Sequence, residues 1–398
     1  MKFKQINPKD IFDHFTFDVA NYNSLSHEKW NLKSEKSENL FKKLNSQPWT
    51  VKDVFENISQ GIVSVGDDIF LMKGRIQANR FIGYSEKIGK EIIIEAQVVK
   101  PLLKGEDVKK YAPLTNMYYC LYPHYEENGK TLPYDEEFFM QNYPLAYSYM
   151  LPFKDELIEK KIRYKTNPKA WYSLHRSREI SLFEQEKIIT PEISLGTNMT
   201  LDDANMFHNT KCYTLAKRNE IIEGNKFWLA IMNSKLLWYF LSSTGYVLRG
   251  GFFTFKTKYL EPFPLPRLNN SEDQNPYVEK VELMLALTND FQKITHKFSN
   301  YLQSQLKIEK FTKKLQNWFE LDFIEFVKEL NKAAKKAGGD KLSKSDEMEW
   351  MEVFETKKAV VQTLQSEIDK TDKEIDQMVY KLYDLSNEEI AIVEQSVG

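Results

Sequence analysis

The sequence predicts an α+β protein, with a mixed α/β recognition domain followed by a C-terminal helical region. Up to about residue 268, short apolar runs typical of strands alternate with helical segments and are separated by glycines and prolines. Beyond this point no proline follows Pro276, and apolar residues recur every three and four positions, as in long helices. The 398 residues are 42% hydrophobic and 14% aromatic, which is typical of a folded globular protein.

Three parts follow from these patterns. Residues 1–47 are polar with a few aromatics and no clear period, and we expect an N-terminal arm or partner-docking segment. Residues 48–268 form the predicted recognition domain, in which residues 91–99 and 117–122 are predicted strands and residues 225–242 a single buried helix. Residues 269–398 form the predicted helical region.

Two hydrophobic seams in the helical region predict an antiparallel pair of helices in a coiled coil. The first seam consists of Val281, Met284, Thr288, Phe291, Thr295, Phe298 and Leu302. The second consists of Val361, Leu364, Ile368, Thr371, Ile375, Met378 and Leu382. Between the seams, the lysine-rich residues 332–344 predict a flexible tip or loop. Ser386 and Glu389 have the spacing of a capping box, which predicts a short final helix.

The distribution of charge indicates local positive patches, although the formal net charge is −2. Residues 160–178 and 224–260 contain no Asp or Glu, yet both stretches carry several Lys and Arg. All arginines of the chain fall between Arg75 and Arg267. Because arginine makes bidentate contacts with phosphates and guanine edges, this confinement favours a recognition surface there. The alternative is that these arginines serve buried ion pairs.

The run RGGFFTFKTKYLEPFPLP, residues 249–266, combines cations, two glycines and aromatic side chains ahead of three prolines. Adjacent glycines let the backbone approach a ligand closely, aromatic rings stack on bases, and lysines meet phosphates. The run therefore suits a polyanion. The alternative is a core β-hairpin followed by a rigid connector.

The same run resembles the closing segment of the TaqI-like C-terminal specificity (target-recognition) domain of adenine-specific DNA methyltransferases and type IIG restriction-modification enzymes. Four further segments are similar to that family in the expected order: GIVSVGDDIFLM (61–72), like its opening strand; VVKPLLKGEDVKKY (98–111); WYSLHRSRE (171–179); and EIDKTDKEIDQMVYKLYDLSNEEIAIVE (367–394). In overall plan the chain is also similar to the specificity subunits of type I restriction enzymes.

The resemblance implies a DNA target-recognition module that works with a DNA methyltransferase subunit or domain. Such a methyltransferase carries a glycine-rich turn for S-adenosylmethionine and an Asn/Asp-Pro-Pro-aromatic loop. This sequence has neither; its nearest string, at residues 166–170, has one proline and no adjacent aromatic. We therefore expect no catalysis by this chain alone, with S-adenosylmethionine, and Mg²⁺ where cleavage occurs, bound by the partner or by a missing catalytic domain.

The DNA-reading surface is predicted from the two acid-free stretches. The predicted DNA-binding residues are Arg163, Lys165, Trp171, Arg176, Arg178, Arg249, Lys256 and Lys258. Arg176 and Arg178 lie two residues apart, so in a strand both would face the same side. For the turn of Lys104, Gly105 and Asp107 we favour a structural role over a contact with DNA.

Other functions are weakly supported by sequence. No His-x-x-x-His or Cys-x-x-Cys spacing occurs, and His208 with Cys212 would need two further ligands to hold zinc. The two cysteines give no disulfide framework, and no basic-then-apolar signal or bilayer-length apolar run is present, so we expect a cytoplasmic protein. A coiled-coil protein-interaction scaffold with an α+β binding domain is the main alternative function, and an enzyme of an unrelated kind is the second.

Overall fold

The computed structural model describes residues 35–397, so the first 34 residues of the predicted N-terminal arm lie outside the described residues. The helices are α1 Glu35–Asn45, α2 Val51–Val54, α3 Asp67–Phe70, α4 Glu136–Asn142, α5 Pro144–Met150, α6 Lys154–Arg163, α7 Ile180–Phe183, α8 Asn225–Met232, α9 Lys235–Thr244, α10 Thr257–Leu260, α11 Asn275–Leu306, α12 Lys313–Gln316, α13 Phe323–Lys336, α14 Lys344–Leu382 and α15 Asn387–Val397.

The strands are β1 Trp49–Thr50, β2 Phe55–Gln60, β3 Leu71–Gln77, β4 Arg80–Ser85, β5 Lys90–Glu95, β6 Val99–Leu103, β7 Tyr118–Leu121, β8 His124–Glu127, β9 Lys130–Pro133, β10 Lys187–Pro191, β11 Ile193–Ser194, β12 Thr200–Asp202, β13 Phe207–His208, β14 Cys212–Lys217, β15 Phe253–Thr254 and β16 Pro264–Leu265. Strands and helices alternate up to β16 and only helices follow within the described residues. The predicted α+β class is confirmed.

The larger sheet has six strands in the order β13-β6-β7-β3-β4-β5, with β13 and β6 parallel and the other neighbours antiparallel. β3 and β4 are joined through Ala78 and Asn79, which both have positive φ as a tight two-residue hairpin turn requires. Helices α4, α5 and α6 share a hydrophobic core with this sheet. Residues 61–70, compared above with an opening strand, instead form isolated bridges at Ile62 and Val63 and then helix α3.

The second sheet has four strands in the order β12-β10-β14-β2, all antiparallel. Every residue of its central strand β10 is buried. That strand includes Lys187, whose ammonium group forms an ion pair with Asp202 of β12 where both side chains are fully buried. Burying two charges is costly unless they pair, so this contact fixes how β10 and β12 lie against each other.

The predicted single helix at residues 225–242 is two helices, α8 and α9. Asn233 is the C-cap of α8, and its side chain both accepts from Met199 N (2.9 Å) and donates to Met199 O (2.9 Å). The chain leaves the helical path at the next residue, Ser234, which is extended (φ −71°, ψ 156°). Ser234 then accepts from Leu237 N and begins α9 as its N-cap. A buried side-chain amide thus replaces backbone pairing at the break, which periodicity alone does not reveal.

Helices α11 and α14 pack against each other in antiparallel orientation along the predicted seams. Near one end Lys280 pairs with Glu374 at 2.6 Å and Tyr277 donates to Met378 O at 3.0 Å. Near the other end the rings of Tyr301 and Trp350 lie 5.9 Å apart. The buried residues of the two helices include most of the predicted seam positions.

The segment between the seams contains a small helical cap that the sequence did not predict. Trp318, Phe326 and Phe354 are fully buried in a core of their own together with the ends of α11 and α14. Residues 332–336, which we placed in a flexible tip, continue helix α13, and the turn lies after it at Gly338, which has φ +82°. Helix α13 is amphipathic, with Phe326, Leu330 and Ala333 buried on one side and its lysines on the other.

The base of the helical region docks on the recognition domain. Lys110 pairs with Asp372 at 2.7 Å, Tyr383 donates to Pro264 O at 2.7 Å, and one hydrophobic core runs through both parts. Ser386 and Glu389 form the predicted capping box at the start of α15. Helix α1, the described end of the predicted arm, lies beside α15, where Lys43 pairs with Glu389 at 3.0 Å.

Asp376 gives this docking interface a dependence on pH. The residue is 2% exposed, and its Oδ1 accepts from Lys235 N at 2.9 Å while Oδ2 has no partner among the described residues. Burial raises the pKa of this carboxyl to about 6. Because the folded-state pKa exceeds the unfolded value, the folded protein loses stability as pH rises from about 4 to 6, and the whole penalty is present above that window.

We expect Asp376→Asn to stabilise the protein at pH 7, by at most about 3 kcal/mol for a shift of two pKa units. The amide oxygen keeps the bond from Lys235 N, while the buried charge is gone. Thermal unfolding of both proteins between pH 4 and pH 8 measures the difference, which should shrink towards pH 4. A difference that does not change with pH would show that ionisation of Asp376 is not the cause.

Candidate nucleic-acid interface

A concave surface of about 770 Å³ lies between the β8–β9 hairpin, the end of α6 and the chain that leads into α7. We call it the arginine groove. Its lining includes three basic side chains that are at least partly exposed, Lys130, Arg176 and Arg178, and one carboxylate, Glu179. The groove is therefore electropositive.

Backbone contacts hold the two arginines in place. Val63 N donates to Arg176 O at 2.9 Å and Arg176 N donates to Val63 O at 3.0 Å, an isolated bridge and not a strand. Arg178 has φ +64° and its Nε donates to Gly61 O at 3.0 Å. The predicted shared strand face is therefore absent, but the turn still brings both arginines to one groove. Arg176 is exposed and has no side-chain partner in the part of the chain that the structure describes.

Three titratable groups lie beneath the arginines. Lys161 is 1% exposed, and its ammonium group donates to Ser173 Oγ at 2.8 Å and Leu174 O at 2.9 Å. Burial lowers the pKa of Lys161 to about 8. Burial and the Lys161 charge lower the pKa of His124 to about 3, and burial, Arg176 and Lys161 lower that of His175. Near neutral pH the lining of the groove thus contains the charged Lys161 and the neutral imidazoles of His124 and His175.

The other predicted residues of this stretch lie elsewhere. Trp171 is 1% exposed in the core, where its Nε1 donates to Glu136 Oε1 at 2.9 Å. This burial leaves it no surface for a base, and we assign it a structural role. Arg163 is exposed but pairs with Glu159 at 2.8 Å, one helical turn before it. Lys165 is exposed just after α6, beside the groove-lining residues Thr166 and Asn167.

A second concave surface, of about 590 Å³, lies beside strands β10 and β11. We call it the lysine groove, and its lining includes Lys104, Lys109, Lys211, Glu192, Leu195 and Phe252. Glu192 Oε2 lies 3.4 Å from Lys211 Nζ, and Glu192 Oε1 lies 3.5 Å from Lys256 Nζ. This one carboxylate therefore orients two lysines at the rim.

The three predicted residues of the run at 249–266 lie near this second groove. Arg249 is exposed in the turn that leads to Phe252, and Lys256 is the lysine held by Glu192. Lys258 is exposed in α10, with its Nζ 4.6 Å from the centre of the Tyr259 ring. Three of the run's four phenylalanines, Phe253, Phe255 and Phe263, are buried, as the alternative of a core β-hairpin and connector required for them.

The two grooves are neighbours. Tyr213 of strand β14 pairs with Gln60 on one side and with Thr190, two residues before Glu192, on the other. Gln60, adjacent to the Gly61 that holds Arg178, donates to Thr210 O at 2.8 Å in the turn that carries Lys211. Predicted cations from two distant stretches of the sequence therefore lie at neighbouring grooves.

Sequence reasoning missed Lys130 and Lys211 as lining residues of these grooves, and it favoured a structural role for the turn that contains Lys104. Lys130 stands three residues after Glu127 in the sequence, so the search for acid-free stretches passed over it. Asp107, by contrast, has the structural role that we favoured. Its Oδ2 accepts from Lys104 N at 2.7 Å, and so it shapes the turn that presents Lys104.

Metal chemistry finds no support among residues 35–397, where no three His, Cys, Asp or Glu side chains cluster as ligands would. His208 is fully buried and its Nε2 is hydrogen-bonded to Thr214 Oγ1 at 2.5 Å. Cys212 is also fully buried, and burial raises its pKa. The pair therefore belongs to the core.

Comparisons with known proteins agree with the resemblance found in the sequence. Residues 100–265 match the family model of the TaqI-like C-terminal specificity domain, and residues 270–379 match a domain of unknown function, DUF8810. The predicted resemblance is thereby confirmed. Both grooves are built largely from the first matched region.

Two relatives are restriction-modification proteins. The type II restriction enzyme and methyltransferase RM.Eco57I of Escherichia coli is 26% identical over 228 residues, which are 54% of this chain and 22% of that protein. The type II methyltransferase M.MjaIV of Methanocaldococcus jannaschii is 24% identical over 238 residues, which are 58% of this chain and 72% of that protein. The chain thus spans about a fifth of the length of the first relative.

Among solved structures, the type IIL restriction-modification enzyme MmeI in complex with DNA aligns with 80% of this chain and 37% of its own chain. The TM-score is 0.40 and the sequence identity is 12%.

Arg176 and Lys256 are expected to differ in their effect on DNA binding. Arg176→Ala should cost about 1–3 kcal/mol on a preferred sequence and relax preference at one position, because an unpaired arginine fork reads a base edge. Lys256→Ala should weaken binding to all sequences alike and lower the salt slope by about one unit. The preferred sequence is first selected from a random duplex pool, and competition binding then compares it with a scrambled duplex.

Lys357→Ala, an exposed lysine on helix α14, is the matched control and should bind like wild type. Arg178→Ala also loses the hydrogen bond to Gly61 O, so its thermal unfolding is measured beside its DNA binding. If Arg176→Ala and Arg178→Ala both bind the preferred site like wild type, the arginine groove does not read DNA.

Proposed function

We propose that this chain recognises a specific DNA sequence on behalf of a restriction-modification adenine DNA methyltransferase. The observation that carries the proposal is the pair of adjoining electropositive grooves within the region that matches the specificity domain. Lysines at the rims suit the phosphates, which give affinity, while arginine forks on a shaped backbone suit base edges, which give specificity.

The catalytic step belongs, in this proposal, to a methyltransferase subunit or domain that binds S-adenosylmethionine, and any cleavage to a Mg²⁺-dependent nuclease in the same assembly. Both sequence relatives are named as methyltransferases, one of them also as a restriction enzyme. The nearest string to an adenine-gripping loop serves the fold here: Asn167 Oδ1 accepts from Lys169 N at 3.0 Å and caps a turn at Pro168.

A methyltransferase partner also has a candidate surface on the helical region. Met348, Met351 and Val353 are exposed near the start of helix α14.

No helix among residues 35–397 is long and apolar enough to cross a membrane. We place the activity in the cytoplasm, where a bacterial or archaeal restriction-modification assembly meets DNA. A protein-interaction scaffold is the alternative function, and it makes a different prediction for salt.

Binding to duplex DNA should weaken steeply with salt. Neutralising about four to six phosphates gives a slope of roughly −4 to −5 in log K against log salt concentration, so a fourfold rise in salt should cost about 100-fold or more. Fluorescence anisotropy with a labelled duplex measures the slope. A scaffold that binds proteins through apolar contacts would show little salt dependence and no affinity for DNA.

The isolated chain should transfer no methyl group to DNA. The reason is chemical: the chain contains neither the cofactor turn nor the loop that holds the target adenine. Radiolabelled S-adenosylmethionine with mixed-sequence duplex is the assay, and equilibrium dialysis tests cofactor binding directly. Incorporation above the background of a boiled sample would refute the non-catalytic assignment while leaving DNA recognition intact.

A further inference from the structure

Two turns meet at the lysine groove. One follows β11 and contains Leu195 and Gly196. The other closes a hairpin in which Leu248 N donates to Phe252 O at 2.7 Å and Gly251 N donates to Leu248 O at 3.2 Å. Strands β11 and β15 pair and hold the two turns side by side, and Leu195 Cδ1 lies 3.8 Å from where a Cβ on Gly251 would stand.

Glycines make both turns project. Gly196 has φ +94°, and Gly250 and Gly251 have φ +86° and +80°, a region that other residues rarely adopt. A Cβ on Gly196 would meet no described atom within 4 Å. The first turn therefore stands out from the body of the domain, with open space around its tip.

The side chains at this tip are apolar and exposed. Leu195 is 59% exposed and Phe252 is 40% exposed, and Tyr246 and Val247 are more than half exposed beside them. Immediately below, Phe253 and Phe255 are buried, so the tip rests on a fixed base. Exposed apolar groups that are held on a rigid support usually mark a binding surface.

The charge around the tip indicates the kind of partner. Lys104, Lys109 and Lys211 line the same groove, Lys256 lies at its rim, and Arg249 stands in the second turn. Against these five cations stand the carboxylates of Glu106 and Glu192. An apolar tip ringed by cations is complementary to a molecule with an anionic exterior and an apolar, stacked interior, which describes duplex DNA.

We propose that Leu195 and Phe252 form an apolar wedge that enters between two stacked base pairs of bound DNA, while the surrounding lysines and Arg249 hold the flanking phosphates. The wedge rests on the proposed function, because it requires that the chain bind duplex DNA. Proteins that distort DNA insert such side chains at a base step and recover the cost of unstacking through added backbone contacts. The base step that opens most easily would then be favoured without any hydrogen bond to it.

The test uses duplexes of the selected sequence with 2-aminopurine at successive positions, because its fluorescence rises when the base loses its stacking neighbours. At saturating wild-type protein, the signal should rise at one base step. The double variant Leu195→Ser, Phe252→Ser should lose this rise at saturation and bind roughly 5- to 150-fold more weakly, the range for loss of one stacked base.

Ile222→Ser is the matched control, since Ile222 is 78% exposed and lies outside both grooves. It should keep the rise and the affinity. Because Leu195 and Phe252 are exposed, the double variant should also keep the wild-type unfolding temperature, which separates loss of function from loss of fold.

Each outcome decides something. Tight binding of wild type with no rise at any position overturns the wedge and leaves DNA recognition standing, whereas failure to bind any duplex overturns both. A double variant that binds and unstacks DNA like wild type overturns the assignment to Leu195 and Phe252. If that variant instead fails only to retain a methyltransferase partner, the tip is a protein contact and the wedge is wrong.

Discussion

The arginine groove depends on one close approach, that of Gly61 to the strand β13. A Cβ at this position would lie 1.9 Å from His208 O, so no other residue fits without moving the backbone. From this joint, Ile62 N donates to His208 O at 2.9 Å, Val63 pairs with Arg176, and Gly61 O receives the Arg178 side chain. Three consecutive residues thus tie the six-stranded sheet to the arginine groove, and the positions of both arginines are consequences of the packing at one glycine.

Two buried lysines show how the same domain uses charge in two ways. Lys187 is paired with Asp202 inside the four-stranded sheet. Burial lowers the pKa of Lys187 and raises the pKa of Asp202. Among residues 35–397, Lys161 has no such carboxylate. Its ammonium group donates hydrogen bonds only to neutral oxygens, so its charge is left unpaired beneath the groove. The first arrangement specifies how strands pair. The unpaired charge of Lys161 gives the groove a positive potential, which would attract an anion. The cost of burying this charge is offset by the surrounding core.

How far the sequence predicts this molecule depends on whether the cause is local. The α+β class, the two helical seams and the capping box at Ser386 follow from period and spacing, which neighbouring residues determine. The break at Asn233, the left-handed Arg178 and the burial of Trp171 depend on partners far along the chain, namely Met199, Gly61 and Glu136. The acid-free stretches at residues 160–178 and 224–260 indicated positive patches, yet Lys160 and Arg163 pair with acids one turn earlier in α6, outside the stretch itself.

The length of the paired helices α11 and α14 sets the distance between the two ends of the helical region. With a rise of 1.5 Å per residue, α14 with its 39 residues is about 58 Å long and α11 with its 32 residues about 48 Å. One end is fixed to the recognition domain through Asp372 and Tyr383, and the other is closed by the Trp318 cluster of the cap. The paired helices therefore act as a rigid spacer between the α+β part of the chain and the cap. The cap is held at a set distance and rotation from the two grooves, and lengthening both helices by one heptad would move it by about 10 Å.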